Sequence, residues 1–279
     1  MKYKLNIFKS ISFHLKRSFF SPLPLRVNLI QIFMKKFKLG TFKQRLDYDA
    51  VEYPGYAYGM FSAALQAKSL GLKKITALEF GVASGNGLIS IENHAREIYD
   101  LLGIEFDIYG FDTGIGLPKP KNYKDQGYFW DKSFFPMNQE KLEKNLNISK
   151  LIIGDIKNTI NSFIKNNLKF PIGFVAFDLD YYSSTKTSFE IFNVNDNLVL
   201  PRVECYMDDV ASTELLVASK GTGVLRAIEE FNIDRKKEER IFKKELVYQF
   251  RIIPSFWNEK LYVFHRFDHS KYNHSVKNY

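Results

Sequence analysis

The stretch LEFGVASGNG, residues 78–87, places three glycines directly after an apolar run. The preceding segment KKITALEF is apolar and β-branched enough to predict a buried parallel strand, and the following LISIENHAREIYDLL has the apolar spacing of a helix. Glycines at such a turn permit positive φ angles and let backbone N–H groups approach a ligand, while the helix N-terminus favours an anionic group. The stretch therefore predicts a strand, a ligand-binding loop and a helix.

The spacing of these glycines limits the kind of ligand. Gly81, Gly85 and Gly87 form G-x-x-x-G-x-G. This is neither the G-x-G-x-x-G of dinucleotide-binding folds nor the G-x-x-x-x-G-K-[ST] of a phosphate-binding loop. The loop therefore indicates a ligand without indicating a nucleotide phosphate.

Beyond the loop, predicted strands and helices alternate along the chain. We predict strands at KKITALEF, FDIYGFD, KLIIGD, PIGFVAFDLD, VECYMDDV, ELVYQFRII and EKLYVFHRF. Strands that alternate with helices are typical of an α/β fold with a parallel sheet. The sequence thus predicts a Rossmann-like, doubly wound, mostly parallel seven-stranded sheet.

Charge is unevenly distributed along the 279 residues. The formal net charge is +9, and ten Lys or Arg residues lie within the first 43 positions, where no acid occurs. We therefore divide the chain into a basic helical N-terminal arm, residues 1–46, and one α/β domain, residues 47–279, which is long enough for a sizeable core.

The arm interleaves Phe, Leu and Ile with Lys and Arg, and it lacks both a bilayer-spanning apolar run and the h-region of a signal peptide. Residues 1–43 would lie on an anionic membrane surface, or their apolar face would pack on the domain or a second subunit of a homo-oligomer. An organellar presequence or a nucleic-acid contact is the remaining alternative. Because the lone Cys205 excludes an intrachain disulfide, we expect a cytoplasmic protein, peripheral on the inner membrane face in the first case.

Carboxylates follow five successive predicted strands. In an open α/β sheet, ligands bind beyond the carboxyl ends of the strands. An acid at one such end is common as a helix cap, but five in order are difficult to attribute to capping alone. The acids are Glu79, Asp112, Asp155, Asp178 with Asp180, and Asp208 with Asp209.

The segment EFGVASGNG is similar to the glycine-rich first motif of class I S-adenosylmethionine (SAM)-dependent methyltransferases. The resemblance implies that Glu79, Gly81, Ser84 and Gly85 contact the methionine part of the cofactor, and that Asp178 also lies against it. SAM offers a carboxylate to helix N-terminal amides and has no phosphate that would require a lysine. The physical properties of the loop agree with this ligand.

The same resemblance implies two further cofactor contacts. Asp112, at the end of IYGFD, would accept hydrogen bonds from both ribose hydroxyls, for which a carboxylate has enough lone pairs. Asp155 would accept from the adenine amino group, and Ile156 would pack on the ring. The alternative for Asp112 is a turn residue, and for Asp155 a helix N-cap.

The segments GFDTGIGLP, FDLDYYSSTKTS and YMDDV together resemble the macrocin O-methyltransferase family, which methylates sugar hydroxyls with the help of a divalent metal. The resemblance implies Mg²⁺ held by Asp178 or Asp180 together with Asp208 and Asp209. Of these alternatives, we predict Asp180, Asp208 and Asp209 as the ligands and Asp178 as the general base. Carboxylate oxygens suit a hard cation. The alternative is that these acids only cap helices and turns.

We therefore expect a SAM-dependent O-methyltransferase that acts on a sugar, a glycan or another hydroxylated small molecule, for instance in surface polysaccharide biosynthesis. Residues 116–138, rich in Tyr, Phe and Trp, would form a lid that stacks on a sugar and excludes water. The alternatives are a non-catalytic scaffold protein with this fold and a dinucleotide-dependent oxidoreductase. No nucleic-acid substrate is expected, because the excess charge lies in the arm rather than around the cleft.

Overall fold

The structure, a computed structural model, describes residues 25–211, 215–216, 218–235 and 238–276. Within these residues seven strands form a single sheet with the order β3-β2-β1-β4-β5-β7-β6. Strands β1 to β5 are parallel, and β7 runs antiparallel to β5 and to β6. The strands are β1 (Lys74–Phe80), β2 (Glu105–Asp112), β3 (Lys150–Ile153), β4 (Ile172–Phe177), β5 (Val199–Met207), β6 (Glu239–Lys243) and β7 (Leu261–Arg266). The predicted fold class is confirmed.

Eight α-helices are assigned among the described residues. They are α1 (Leu25–Phe37), α2 (Phe42–Asp47), α3 (Pro54–Ser69), α4 (Asn86–Leu102), α5 (Gln139–Glu143), α6 (Ile156–Asn166), α7 (Tyr182–Ser188) and α8 (Gly223–Asp234). None of the helices in this part of the chain has the length and apolar character needed to cross a membrane.

Two buried clusters cover the two faces of the sheet. Because side chains alternate along a strand, Ile75 and Ala77 of β1 face one cluster, which includes residues of α3 and α4. Leu78 and Phe80 face the other, which includes residues of α6 and α8. The same alternation turns Glu79 toward α3 and α4, into the interior.

Parallel pairing brings the ends of the central strands to one edge of the sheet. Phe80 at the end of β1 pairs with Phe111 of β2 and with Phe177 of β4, and Phe177 pairs with Met207 of β5. The residues that directly follow these positions therefore meet at this edge. This register is why carboxylates that are far apart in sequence become neighbours.

The beginning of the domain differs from the sequence-based boundary. Residues 1–24 of the predicted arm lie outside the described residues, and residues 25–37 form helix α1 as expected. In contrast, Phe42 and Leu46 of α2 are buried in the domain core. Helix α2, which we had assigned mainly to the arm, is thus part of the packed domain.

The prediction of a strand at ELVYQFRII, residues 245–253, is wrong. Strand β6 lies earlier, at Glu239–Lys243, and residues Val247–Phe250 form a short 3₁₀ helix. The side-chain amide of Asn232 on α8 explains the register of β6, since it bonds both the backbone N–H and the carbonyl of Ile241. Arg251 instead directs the later segment toward the N-terminal helices by pairing with Asp49 at 2.6 Å.

Candidate active site

A cleft of about 360 Å³ opens at the carboxyl edge of the parallel strands. This volume is in the range of small-molecule sites. Eight of the predicted site residues line it: Gly81, Asp112, Asp155, Ile156, Asp178, Asp180, Asp208 and Asp209. The three predicted residues that are not part of its lining are Glu79, Ser84 and Gly85.

Gly81 joins the glycine loop to the end of β4. Its φ angle is +89°, and a Cβ atom built there would lie 1.6 Å from the carbonyl oxygen of Asp178. Only glycine permits this close approach. The loop and the first acid after β4 are therefore held against each other.

Ser84 and Gly85 lie in the turn before α4, outside the lining of the cleft. Gly85, with φ +85°, precedes α4 as its N-cap, and a Cβ there would collide with the side chain of Leu142 rather than approach the cleft. Ser84 is exposed, and its hydroxyl accepts a hydrogen bond from Asn86 at 3.2 Å. The two residues shape the turn that presents the loop.

Asp112 fastens the glycine loop. Its Oδ2 accepts from the backbone N–H groups of Val82 at 3.0 Å and Ala83 at 2.9 Å, and its Oδ1 accepts from that of Gly114 at 2.7 Å. A carboxylate has about four lone-pair sites. Three are engaged by the chain itself, so Asp112 combines a structural role with a place in the cleft wall.

Asp155 has the alternative role that we named from the sequence, that of a helix N-cap. It is the N-cap of α6, where its Oδ1 accepts from the backbone N–H of Lys157 at 2.9 Å. It nevertheless lines the cleft together with Ile156. Because this bond uses one oxygen, the second oxygen is available to a ligand.

Three of the four acids after β4 and β5 converge in what we call the acid trio, Asp178, Asp208 and Asp209. One carboxylate oxygen from each lies within 4.8 Å of the other two. Asp180, which we predicted as a metal ligand, is not in this group. Its φ angle of +58° turns the chain, and its backbone N–H donates to Oδ2 of Asp209 at 2.9 Å. Asp180 thus orients a member of the acid trio through its backbone.

Burial and mutual repulsion raise the pKa values of Asp178, Asp180 and Asp209. Burial, followed by the charges of Asp208, Asp209 and Asp180, holds the pKa of Asp178 well above its usual range. Burial and Asp208 raise the pKa of Asp209 to about 7. Burial, Asp209 and Asp208 raise the pKa of Asp180 to about 9. A cation at this edge would relieve the repulsion that causes these shifts.

The sequence analysis missed Lys260. Its Nζ donates to Oδ1 of Asp208 at 2.7 Å, although the two residues are 52 positions apart in the chain. Lys260 ends a short 3₁₀ helix, Phe256–Lys260, directly before β7. No local pattern could reveal this contact, because it depends on the pairing of β7 with β5.

Glu79 is buried behind the cleft. Its Oε1 accepts from the hydroxyl of Tyr56 at 3.1 Å, while Oε2 has no hydrogen-bond partner among the described residues. Burial is the main reason that the pKa of Glu79 rises to about 8, and the charge of Asp112 adds to it. The raised pKa therefore favours the protonated form of Glu79 in the folded protein at neutral pH.

This protonation has a measurable effect on stability. An unfolded Glu has a pKa near its ordinary 4.5, so between pH 4.5 and 8 only the folded state holds the proton. The free energy of unfolding therefore falls through this window as pH rises. Since the side chain of Gln mimics the protonated carboxyl, we expect Glu79→Gln to lose about 3 kcal/mol less than the wild type between pH 5.5 and 8.5. Urea unfolding at both pH values measures the difference, and parallel losses would show that Glu79 is ionised when folded.

The insertion 116–138 is fixed to the domain at Asp125. This fully buried carboxylate accepts from the backbone N–H of Ser183, at the start of α7, and from that of Lys121, both at 2.7 Å. Lys124 adds an ion pair with Glu230 of α8 at 2.7 Å. The first half of the insertion is therefore anchored next to the acids that follow β4.

The second half of the insertion presents aromatic side chains to the cleft. Trp130, Phe134 and Phe135 line it, and Phe129 packs edge-on against Trp130 at 4.7 Å. The indole N–H of Trp130 is buried and has no hydrogen-bond partner among the described residues. Of the aromatic residues that we assigned to the lid, Tyr123 and Tyr128 instead point to solvent, with 73% and 65% exposure.

The strand order, the antiparallel β7 and the cleft at the carboxyl edge are those of a Rossmann-like fold, which the chain shares with solved methyltransferases. The structure is similar to that of the calicheamicin methyltransferase CalS11, with a TM-score of 0.51 and 18% sequence identity over 94% of this chain and 92% of that one. It is also similar to the O-methyltransferase NovP, with a TM-score of 0.52 and 12% identity over 76% and 80% of the chains. No protein-family model and no curated protein matches the sequence.

Proposed function

We propose that the protein is a SAM-dependent O-methyltransferase that acts on a sugar, a glycan or another hydroxylated small molecule. The observation that carries the proposal is the acid-lined cleft at the carboxyl edge of a methyltransferase fold. The assignment of individual residues below follows from the position of each side chain in this cleft.

The lining of the cleft fits SAM better than a dinucleotide. Six aspartate side chains line it, against one cationic side chain, Lys121. This excess of acidic over basic groups favours a sulfonium and an ammonium group and disfavours a pyrophosphate. In the proposal Asp112 accepts from the ribose, Asp155 and Ile156 contact the adenine, and Gly81 allows the loop to approach the methionine part. When bound, SAM supplies an electrophilic methyl group.

The acid trio fits a hard divalent cation such as Mg²⁺. Its donors are carboxylate oxygens, its three atoms lie within 4.8 Å of one another, and the raised pKa values report repulsion that a cation relieves. In the proposal, Asp178, Asp208 and Asp209 would hold the ion. Asp178 thus replaces Asp180 among the ligands that we predicted from the sequence. When bound, the ion lowers the pKa of an acceptor hydroxyl.

Asp178 is our candidate for the residue that accepts the proton of the substrate hydroxyl. It is the member of the acid trio that directly follows β4, and its backbone is packed against Gly81 of the loop. A carboxylate has two oxygens, so one can face a cation while the other accepts a proton. A cleft that holds the bound cofactor and acceptor in one orientation would supply a further part of the rate.

The aromatic half of the insertion supports a sugar as the acceptor. The rings of Trp130, Phe134 and Phe135 provide apolar surface for a sugar face. A glycan of surface polysaccharide biosynthesis would meet these requirements.

Calorimetric titration with SAM tests the proposal, followed by methyl transfer from labelled SAM to a panel of sugars and nucleotide-linked sugars, with Mg²⁺ and with EDTA. Binding of SAM, with transfer that EDTA abolishes, is the expected result. Binding of NADH instead of SAM would indicate an oxidoreductase. A folded protein that binds neither would indicate a scaffold.

We further propose that α1 contacts an anionic membrane surface. Leu25, Leu29, Phe33 and Phe37 recur every four residues on one face of the helix, and each is more than half exposed. The polar side chain of Gln31 instead faces the domain, where its amide donates to the carbonyl of Asp49 at 3.3 Å. The apolar side of α1 thus points away from the domain.

Charge supports a membrane as the partner of this apolar face. Arg26, Lys36 and Lys38 are exposed on and directly after the helix, which contains no acidic residue. Each cation near an anionic bilayer contributes about 1 kcal/mol. In this proposal the protein is peripheral on the cytoplasmic face of a membrane.

Replacing two of the apolar side chains tests the membrane contact. We expect Leu29→Ser with Phe33→Ser to weaken binding to vesicles of phosphatidylserine and phosphatidylcholine by more than about tenfold, because two inserted side chains are lost. The matched control is Phe250→Ser, which removes an aromatic ring that is 86% exposed elsewhere. Co-sedimentation measures the binding. If the variant instead converts a dimer into a monomer and vesicles bind neither protein, the contact is with a second copy.

A further inference from the structure

Lys260 is held firmly against the acid trio. Its side chain is only 10% exposed, and its Nζ lies 2.7 Å from Oδ1 of Asp208. The ammonium group also lies 5.5 Å from the ring centre of Phe256 and 5.9 Å from that of Tyr206. These rings and the short helix before β7 leave it little freedom to move away from the acids.

The lysine changes the charge that the acid trio presents. A bound cation requires its carboxylates in the ionised form, and three such groups carry a charge of −3. The one ion pair that the acid trio makes among the described residues is that of Asp208 with Lys260. The sum of the four groups is therefore −2, which matches one divalent ion.

We infer that Lys260 sets both the strength and the charge selectivity of cation binding at the acid trio. The inference rests on the cation site in the proposed function. The ammonium group repels any cation that enters and competes with it for Asp208. Because the Coulomb energy grows with the product of the charges, this repulsion weakens the binding of trivalent ions more than that of divalent ions.

Neutral replacements of Lys260 test the inference in the full-length protein. We expect Lys260→Met to bind Mn²⁺ about tenfold more tightly than the wild type, and therefore Tb³⁺ about 30-fold more tightly, in the ratio of the ionic charges. Lys260→Gln should change both affinities in the same direction if the Met variant does not fold. Lys260→Arg keeps the charge and should keep the wild-type affinities. Calorimetry measures Mn²⁺, and luminescence sensitised by nearby tyrosines measures Tb³⁺.

Lys244→Met is the matched control. Lys244 also forms a partly buried ion pair with a carboxylate of β5, Glu204, at 2.7 Å, but it does not contact the acid trio. Its replacement should leave both ion affinities unchanged. If the wild type binds Mn²⁺ and both neutral Lys260 variants bind it equally or more weakly, the inference about Lys260 is overturned while the proposed cation site stands. Absence of ion binding in the wild type and in every variant, with SAM binding intact, would remove the metal from the proposed function.

Discussion

Asp178→Asn is expected to lower the rate of methyl transfer by about 10²- to 10⁴-fold while the affinity for SAM changes by only a few-fold. The amide has nearly the shape of the carboxylate, and the contact with Gly81 is made by the backbone of residue 178, so the local structure is retained. It cannot accept the proton of a hydroxyl, and it is a weaker ligand for a hard cation than a carboxylate. Initial rates with labelled SAM and calorimetry with SAM separate the two effects.

Asp180→Asn is the matched control for this change. Asp180 lies two residues further along the same turn, and burial together with Asp209 and Asp208 raises its pKa to about 9. An amide therefore resembles its neutral form, and its backbone N–H still donates to Asp209. We expect less than about a tenfold loss of rate. If Asp180→Asn loses as much activity as Asp178→Asn, Asp180 takes a direct part in the reaction. If Asp178→Asn is fully active, Asp178 is excluded as the proton acceptor.

The difference between Asp178 and Asp180 also shows what the sequence could determine. The sheet was predictable from the apolar patterns of its strands, and the edge at which the acids meet was predictable because ligands bind beyond the carboxyl ends of parallel strands. Both features depend on local sequence patterns. Which acid of FDLD enters the acid trio depends on the φ angle of +58° at Asp180. An Asp tolerates that conformation without requiring it, so the residue types alone left the choice open.

Contacts between segments that are distant in the chain also could not be predicted from the sequence. The pairing of β7 with β5 brings Lys260 to Asp208, and Asn232 sets the position of β6. Neither contact has a spacing signal in the sequence. In contrast, the place of Asp112 at the end of β2 was predictable, but its three bonds to the backbone were not, because they depend on the course of two loops.

The three hydrogen bonds from the backbone to Asp112 are the reason that we expect a large effect of Asp112→Ala on both ligand binding and stability. We expect it to weaken SAM binding by about 100-fold, because hydrogen bonds to a charged group contribute about 1.5 to 3 kcal/mol each. It should also lower the free energy of unfolding of the ligand-free protein by about 2 to 4 kcal/mol, since the N–H groups of Val82, Ala83 and Gly114 lose their acceptor. Calorimetry and urea unfolding measure the two losses. Asp155→Ala is the control for the stability measurement, because loss of this N-cap costs only about 1 kcal/mol.

A ligand lacking one hydroxyl separates a direct contact of Asp112 from its effect on the loop. If Asp112 binds the ribose, the wild type should bind 2′-deoxy-S-adenosylhomocysteine more weakly than S-adenosylhomocysteine, and Asp112→Ala should no longer distinguish the two ligands. If the carboxylate serves only the loop, both proteins should show the same ratio of affinities. In that case the ribose contact is excluded, and the loss of SAM binding follows from a loop that Asp112 no longer holds against the end of β2.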